Sequence, residues 1–561
     1  MRAITRALVL AFMVFCARAV SAMTAEQWRE DLDFLAAKLS TVHPAPFGKT
    51  SQNDFDAAVS ALRADIPRLK DHEIAVRMMQ ITALLGDGHT GLDPGGEVAG
   101  FDHWFPVRIE RFQEGWFITA ATKAQQSLIG RQVLRVGTLS MEDAAKRIDA
   151  TVNGDNAFTR LFYGGYVLAM PKALSALGIN HDLEHLSLTL QGKGGKQEAV
   201  SISAIAKPFS LQWFFTGPGV VGDDSVSAPL VAPDQLAPVF SHAKDVYWYE
   251  YQPKTHTLYV NIHFIVNLKG LPAAWGFTAA APTLAEFFRQ MWSEFDRLKA
   301  ERVVLDIRNN GGGNNQLLGP LVSGFEARPD LNRRGNVFVI TGRRTYSAAM
   351  NLVALMEQRT DAIFVGEPAG GSPRHSGDAT SFTLPHSGMN LNVSVFSWDL
   401  GADPWDVRDR VEPELVVPPR ASAYFSGKDP ALEAIDAYPA TPTRVDRMMD
   451  IADHQGIDAA LAFADEQRRS DAADPWNAAE YPLWMLADRL EWRAGKDADF
   501  MKTLRHATEQ FPDSWRAWFR WGFASYQRHQ WDDATQAFKR AQSLNPNSLL
   551  LPRLLAASSK S

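Results

Sequence analysis

The sequence predicts a multidomain α/β protein in which helical units lie on both sides of a strand-rich middle. Residues 24–92 have the apolar spacing of amphipathic helices. After residue 257, strand patterns alternate with helical patterns, which is typical of an α/β layer structure. After residue 440 the pattern is helical again and repeats every 34 residues. A chain of 561 residues is long enough for three or four such domains.

Residues 1–22 are expected to be a signal peptide that is cleaved after Ala22. Arg2 and Arg6 flank the start of a short apolar run, and Val20-Ser-Ala22 has the small side chains of a cleavage site. The alternative is a buried N-terminal helix. Because the run is too short to span a bilayer, we expect no membrane anchor after cleavage and a periplasmic or secreted protein.

The charge and the cysteine count of the mature chain exclude several classes of function. Cleavage would leave 54 basic and 64 acidic residues, a formal net charge of −10. That balance argues against nucleic-acid binding, which needs a clustered positive surface. Cleavage would also remove the only cysteine, which excludes a disulfide, a thiol nucleophile and a thiolate metal site.

The N-terminal helical domain is expected at 23–95 and ends in a glycine-rich turn that carries His89. A β-rich domain is expected at 96–205, with strands at 105–109, 115–119 and 132–136 and one helix at 141–152. This unit resembles a PDZ module, although it has no Gly-Leu-Gly-Phe-like loop for a carboxylate. A peptide-docking role and a purely structural role are both open for it.

Residues 206–428 are expected to form the α/β core, after a Gly- and Pro-rich loop at 215–240. Its strands are expected at 257–265, 302–307, 336–342 and 362–365, with a hairpin of 381–384 and 390–397. Its helices are expected at 281–298 and 348–356.

Residues 440–553 are expected to form helical repeats. The positions that match the tetratricopeptide pattern are Ala517, Trp518, Gly522, Ala524, Tyr526, Trp531, Ala534, Phe538, Ala541 and Pro546. A shift of 34 residues places Leu504, Ala507 and Pro512 under the last three, and 444–469 is a weaker third repeat. Such repeats stack because one alone cannot bury its apolar face. The array either packs on the core or docks a protein partner.

Two turns in the core carry residues that suggest chemistry. The strand at 302–307 runs into a glycine turn, and the strand at 336–342 leads to Ser347 at a helix start. A serine at such a junction can be activated by a nearby base, and a glycine turn can bring backbone N–H groups close to a substrate carbonyl. Together they suggest covalent acyl transfer. The alternative for Ser347 is a helix N-cap.

Ordered motifs in this region point to a family. They are Asp306-Ile-Arg-Asn-Asn-Gly-Gly-Gly313, Thr345-Tyr-Ser-Ala-Ala349, Val365-Gly-Glu-Pro-Ala-Gly-Gly371 and Val411-Glu-Pro-Glu-Leu-Val-Val417. This ordered set resembles the S41 serine peptidases, which include the tail-specific or C-terminal processing proteases and the tricorn core peptidase. The resemblance implies a crotonase-like core and a serine-type endopeptidase that hydrolyses peptide or protein substrates. The sequence has no His-Glu-x-x-His motif, no Asp-rich calcium loop and no nucleotide-binding glycine pattern, so we expect no metal or cofactor.

The resemblance also assigns roles to individual residues. Ser347 is similar in position to the family nucleophile, and the backbone N–H groups of Ala348 and Gly312 to its oxyanion hole. Tail-specific proteases have a lysine base where this chain has Ser372, and no lysine occurs between Lys299 and Lys428. A serine–lysine dyad is therefore excluded unless a distant lysine folds in.

A histidine is the expected base instead. His89 is similar in position to the histidine of the tricorn-like branch, and a neutral imidazole can accept the serine proton near pH 7. His263 and His375 are the alternatives. The tricorn-like branch adds an acidic residue that orients its histidine, for which Asp406 and Asp409 are both candidates.

Two functions from different classes follow from these patterns. The first is a secreted or periplasmic serine endopeptidase that uses Ser347 and His89. The second is a degenerate peptidase that binds peptides as a scaffold and recruits a partner through its repeats. The missing lysine and the pair Ala349-Met350, where many relatives have Ala-Glu, motivate the second.

Overall fold

The computed structural model of the chain describes residues 23–94, 101–206, 225–242, 245–267, 282–399, 406–471, 476, 480–491, 493–548 and 550–558. The expected signal peptide and residues 215–224 of the expected loop lie outside the described residues. No helix in the described ranges is long and apolar enough to cross a membrane.

Three helices form the N-terminal unit, Ala25–Val42, Gln52–Asp65 and Asp71–Ala83. The hydroxyls of Thr24 and Ser51 cap the first two helices by accepting a hydrogen bond from the backbone N–H of the third residue of each helix. Trp28 and other apolar side chains of the inner faces are fully buried. A short strand, Gly91–Asp93, follows this unit directly after His89.

An antiparallel sheet forms the second unit. Its central strands are Val107–Phe112, Gly115–Thr122, Gln132–Val136, His185–Gln191 and Gln197–Ser203, and the short strands Leu139–Ser140 and Ser225–Ser227 join it. The first strand begins later than the predicted 105–109, because Pro106 has no N–H to donate into the ladder.

The second unit has more helix than the sequence predicts. The predicted helix is present as Met141–Asp149, and the helices Ala157–Leu168 and Pro171–Ala176 were missed. The first of the missed helices is rich in aromatic and glycine residues, which are poor helix formers. It is started instead by Asn156, whose side-chain oxygen accepts from the N–H groups of Phe158 and Thr159.

A six-stranded sheet forms the core. Its strands, in spatial order, are Leu415–Val416, Ile363–Gly366, Val337–Thr341, Arg302–Asp306, Thr257–Ile262 and Tyr247–Gln252. All pairs are parallel except the last, and nearly every residue of the four central strands is buried, as expected for a parallel sheet covered on both faces.

Helices cover both faces of this sheet. Leu284–Leu298, Gly319–Glu326 and Ala348–Arg359 share one apolar cluster with it, and Pro430–Ala437 packs on the other face. The short helices Pro238–Ser241 and Ala421–Phe425 lie beside the core. Because the central strands are parallel, the glycine turn and Ser347 follow carboxyl ends at the same edge of the sheet.

The predicted hairpin is wrong in its second strand. Thr380–Thr383 pairs with Asn390–Val393 as expected, but the chain then leaves this sheet, and Phe396–Asp399 pairs with Arg374–Gly377. The freed edge of Asn390–Val393 pairs with Gly91–Asp93. This pairing ties the end of the N-terminal unit to the core next to His89.

Seven helices form the C-terminal unit within the ranges described above. They are Arg444–Gln455, Ile457–Asp471, Tyr481–Glu491, Asp497–Gln510, Trp515–Gln527, Trp531–Leu544 and Leu551–Ser558. Ion pairs join them to the core, since Arg334 reaches Asp446 at 2.8 Å and Arg489 reaches Glu414 at 2.7 Å. The predicted fold class, an α/β chain with N-terminal helices and C-terminal helical repeats, is confirmed.

Candidate active site

Ser347 lies at the junction between the strand Val337–Thr341 and the helix Ala348–Arg359. Its backbone has φ 57° and ψ −127°, a strained conformation for a residue with a side chain. The Thr345 hydroxyl stabilises the junction by donating to the Ile307 carbonyl at 2.8 Å. Ser347 occupies the N-cap position of the described helix, but its side chain makes no capping bond to that helix.

His89 lies beside this serine. Its Nε2 is 2.9 Å from Ser347 Oγ, although 258 residues separate the two along the chain. The backbone N–H of His89 donates to Asp87 Oδ1 at 3.0 Å, which shapes the turn. Ser347 and His89 are therefore within hydrogen-bonding distance of each other, which is the first requirement for a general base.

The second ring nitrogen of His89 contacts a tyrosine. Nδ1 lies 2.7 Å from the Tyr346 hydroxyl, and the two rings stack with centroids 4.6 Å apart. The same hydroxyl is 3.4 Å from Asp155 Oδ1. Burial, together with the charges of Asp155 and Asp87, raises the pKa of Tyr346 well above its ordinary value, so this hydroxyl stays protonated.

Gly88 makes this arrangement possible. A Cβ at this position would lie 2.5 Å from the Tyr346 hydroxyl oxygen, which leaves room only for glycine. Its backbone N–H donates to Asp155 Oδ1 at 3.0 Å. The glycine that precedes His89 thus lets the tyrosine and the imidazole approach each other.

Asp87 is the centre of a buried polar cluster behind the imidazole. Its Oδ2 accepts from Thr90 and Ser394 at 2.6 Å each and lies 3.1 Å from His43 Nε2. Burial opposes ionisation, but the hydrogen bond from His43, the nearby His89 and the two hydroxyls together bring the pKa of Asp87 well below its ordinary value. Its Oδ1 is 3.9 Å from His89 Nδ1, so this carboxylate places a fixed negative charge near the ring.

The two alternative histidines have other surroundings. His375 stacks on His89 with centroids 5.9 Å apart, and its Nδ1 lies 3.1 Å from the Ser372 carbonyl oxygen. Burial lowers the pKa of His375 and, with the charge of Arg344, lowers the pKa of His263 to about 4. Both rings are therefore neutral near pH 7, and it is His89 that contacts Ser347.

A distant lysine does fold in towards this region. Lys49 follows the first helix, and its Nζ donates to the carbonyls of Gly86 at 2.7 Å and of Asp155 at 2.6 Å. Burial lowers its pKa. This ammonium is held by backbone oxygens, whereas Ser347 Oγ faces His89, so the lysine stabilises the loops of the site.

The structure does not bring Asp406 or Asp409 to the imidazole. Asp406 pairs with Arg408 at 2.8 Å. The Asp409 carboxylate accepts from the Tyr481 hydroxyl at 3.2 Å and lies 3.5 Å from Arg516, both in the repeat unit. Both ring nitrogens of His89 face hydroxyls instead.

The glycine turn lies directly against the serine. Gly312 has φ 105°, and a Cβ there would lie 2.5 Å from Ser347 Cβ and 3.0 Å from the Ala348 nitrogen. Ala348 begins its helix, so its N–H has no acceptor within the helix. The Gly312 N–H already donates to Asn310 Oδ1 at 2.8 Å. One of the two predicted oxyanion donors is therefore occupied by a neighbouring side chain.

Several residues of the site were missed by the sequence reasoning. Asp87 and Tyr346 are sequence neighbours of His89 and Ser347, and that proximity was the available signal. Asp155 lies in a loop of the second unit, where nothing in its sequence context marks it. Asp306 and Arg308, in contrast, form an ion pair at 2.8 Å that is shared with Asp429, and they stabilise the turn without facing the serine.

Comparisons with known proteins give the class of fold. A tetratricopeptide repeat model matches residues 515–548. The structure of mature CPAF complexed with lactacystin is 13% identical to the chain, covers 73% of this chain and 97% of that chain, and has a TM-score of 0.51. A CPAF mutant is 13% identical, covers 73% and 96%, and has a TM-score of 0.52.

Among the other solved structures, the photosystem II D1 C-terminal processing protease is 13% identical, covers 73% of this chain and 99% of that chain, and has a TM-score of 0.32. The search of curated protein sequences finds no match. The two CPAF structures show the fold, which this chain shares over 73% of its length. The chain thus combines a CPAF-like fold with a tetratricopeptide repeat, in agreement with the motifs at 306–313 and 345–349.

Proposed function

We propose that this chain is a serine-type peptidase in which Ser347 is the nucleophile and His89 the general base. The contact of 2.9 Å between Ser347 Oγ and His89 Nε2, at a strained strand–helix junction, is the observation that carries the proposal. The Ser347 oxygen attacks the carbonyl carbon of a peptide bond while its proton moves to Nε2. The protonated imidazole then gives this proton to the leaving amine, and water hydrolyses the acyl-enzyme by the reverse route.

Tyr346 and Asp155 orient the His89 imidazole, the role for which the sequence suggested Asp406 and Asp409. For Nε2 to accept a proton, the other ring nitrogen must carry one, and Nδ1–H then donates to the Tyr346 oxygen at 2.7 Å. The tyrosine hydroxyl donates in turn towards Asp155. The imidazolium that forms is stabilised by two carboxylates, Asp155 through the tyrosine and Asp87 at 3.9 Å.

Ala348 and Gly312 stabilise the tetrahedral oxyanion. The Ala348 N–H is free to donate at the helix N-terminus, where the helix dipole also favours negative charge. The Gly312 N–H takes part when substrate displaces the Asn310 amide oxygen from it. The oxyanion hole is therefore complete only when a substrate carbonyl oxygen replaces Asn310 Oδ1 as the acceptor of the Gly312 N–H.

The rest of the chain suggests where and with what the enzyme works. The expected signal peptide supports a periplasmic or secreted location, and the substrate is a peptide or protein. The tetratricopeptide repeat supports docking of a protein partner, since such repeats form extended binding surfaces.

Active-site labelling tests the proposal. We expect a fluorophosphonate probe to label the wild-type protein, and Ser347→Ala and His89→Ala to abolish labelling. Digestion of a proteome-derived peptide library should give cut sites that disappear in the same two variants. His185→Ala is the matched control, because it removes an exposed histidine that is distant in sequence from both His89 and Ser347. Wild-type protein that neither takes the probe nor cuts any peptide would favour the scaffold instead.

A further inference from the structure

A cavity of about 170 Å³ opens between the β-rich unit and the core. Its floor consists of residues that directly follow the carboxyl ends of the parallel strands, including Asn309, Gly342 and Val417. Arg108 and Phe112 of the antiparallel sheet form the opposite wall. In open α/β sheets this edge is where ligands bind, so the cavity has the right place for a substrate subsite.

The cavity is strongly basic. Seven arginine or lysine side chains line it, against three carboxylates. Most of the buried cations have partners: Arg308 donates to Asp429 at 2.7 Å, and Arg343 donates to Glu367 at 3.0 Å. These ion pairs stabilise the walls of the cavity, and their arginines are already neutralised by a carboxylate and therefore attract a ligand only weakly.

Arg344 differs from its neighbours. Within the described residues, its guanidinium lies over the ring of Phe162, whose centroid is 4.8 Å away. The carboxylate of Glu110 contributes negative charge to these surroundings, but it lies 3.8 Å from Arg108. Burial lowers the pKa of Arg344 to about 10, whereas carboxylate partners raise the pKa of Arg308, Arg334 and Arg408.

This guanidinium is positioned between the cavity and the nucleophile. A smaller cavity shares Phe162, Asn309 and Arg344 with the large one and extends to Gly311 and Tyr346. Those last two residues flank the oxyanion turn and Ser347. A peptide whose scissile carbonyl lies at Ser347 can therefore reach Arg344 with a group a short distance along its chain.

We propose that Arg344 is a specificity residue that binds a carboxylate of the peptide substrate in this cavity. The proposal rests on the proposed peptidase function and deepens it. A partly buried guanidinium that has no carboxylate partner among the described residues has lost hydration, which a ligand carboxylate would replace through two parallel N–H···O bonds. One such guanidinium matches the single charge of a carboxylate, which a peptide carries on acidic side chains and at its C-terminus.

Binding to inactive protein tests this without relying on turnover. Ser347→Ala protein is mixed with a proteome-derived peptide library in three forms: unmodified, amidated at the C-terminus only, and amidated at every carboxyl group. We expect the fully amidated form to bind at least tenfold more weakly than the unmodified form. Weak binding of the C-terminally amidated form identifies the terminal carboxylate as the ligand, and full binding identifies an acidic side chain.

Variants assign the effect to Arg344. In the Ser347→Ala background, Arg344→Gln should lower affinity for the unmodified library about tenfold and bind all three forms alike, while Arg344→Lys should retain part of the preference. Lys428→Gln removes an exposed cation of the same cavity and should change affinity less than twofold. Circular dichroism checks that each variant is folded.

Two results would overturn the proposal. If Ser347→Ala protein binds the unmodified and the fully amidated libraries equally, a carboxylate subsite is excluded. This result does not depend on whether the arginine variants fold. A preference that survives in folded Arg344→Gln protein places the subsite elsewhere. Failure of the peptidase proposal is separate, because it appears as absent fluorophosphonate labelling of wild-type protein while the carboxylate preference in binding remains.

Discussion

The two halves of the candidate site are built in different ways. The serine half comes from one stretch of chain, 302–359, in which two buried parallel strands end in adjacent turns. Backbone atoms hold these turns together, as in the hydrogen bond from Tyr346 N–H to the Asn310 carbonyl at 3.0 Å. The histidine half is assembled from side chains of separate segments, with His43, Asp87 and Ser394 in one cluster.

This difference means that the proposed nucleophile is preformed by the core, whereas the position of the proposed base depends on how the units close on one another. Buried polar clusters are costly when one member is lost, because the remaining groups stay desolvated. The strand Gly91–Asp93 and its pairing with Asn390–Val393 supply the backbone part of that closure. Substitutions in the two halves should therefore have different signatures.

The largest effect should come from the two residues that meet. Ser347→Ala and His89→Ala should each lower kcat/KM by about 10⁴-fold or more, and the double variant should lose no more than either single one, because the pair acts as a unit. Steady-state kinetics on a peptide found in the library digest measures this. Additive losses in the double variant would mean that the histidine does not act through the serine.

The sequence predicts the serine half well and the histidine half poorly. The motifs at 306–313 and 345–349 are local, and parallel strand order brings their ends together without further information. His89 could be identified only by resemblance. Asp155 could not be found, because its approach to Tyr346 depends on the missed helix Ala157–Leu168. Ser394 could not be found for a different reason, because the predicted strand 390–397 was wrongly extended through it.

The substitution Asp87→Asn tests how much the charge of Asp87 contributes to the stability of the histidine half of the site. Because the folded-state pKa of Asp87 is well below its ordinary value near 4, the carboxylate contributes stability that is fully present above about pH 4 and is lost as the pH falls below it. We expect the variant to be destabilised by about 2–3 kcal/mol at pH 7 and by less at pH 3, where the loss of the charge contribution has begun. Urea unfolding at both pH values measures the difference.

Asp56→Asn, on the second helix, provides the control for that comparison, because this aspartate is exposed. It should change the free energy of unfolding by less than about 0.5 kcal/mol. A loss for Asp87→Asn that is equal at pH 3 and pH 7 would show that its charge is not what stabilises the turn.

A smaller effect is expected from the tyrosine that joins the two halves. Tyr346→Phe removes the hydroxyl between His89 Nδ1 and Asp155 and leaves the ring stacking in place. We expect kcat to fall about tenfold with little change in KM, since the loss affects orientation of the base and not substrate binding. Tyr163→Phe removes a neighbouring buried hydroxyl and should stay within twofold of wild type.

Gly88→Ala gives an independent measure of the same contact, because its methyl group would push the Tyr346 hydroxyl away from the imidazole. The rate of fluorophosphonate labelling should fall in parallel in both variants. Full activity in Tyr346→Phe would show that the carboxylates orient His89 without the tyrosine.

The smallest effect should come from the acidic residues that the family resemblance had suggested. The Asp409 carboxylate contacts Tyr481 and Arg516 of the repeat unit, and only its backbone carbonyl faces the site, where it accepts from Asn156 at 3.1 Å and from Ser372 at 2.5 Å. Asp409→Asn keeps that carbonyl and should therefore lower kcat/KM less than threefold, compared with a loss of tenfold or more for Asp155→Asn. Kinetics of the two variants on one peptide make the comparison. If Asp409→Asn were the more damaging substitution, the repeat unit would be part of the catalytic apparatus, and the base would depend on closure of three units instead of two.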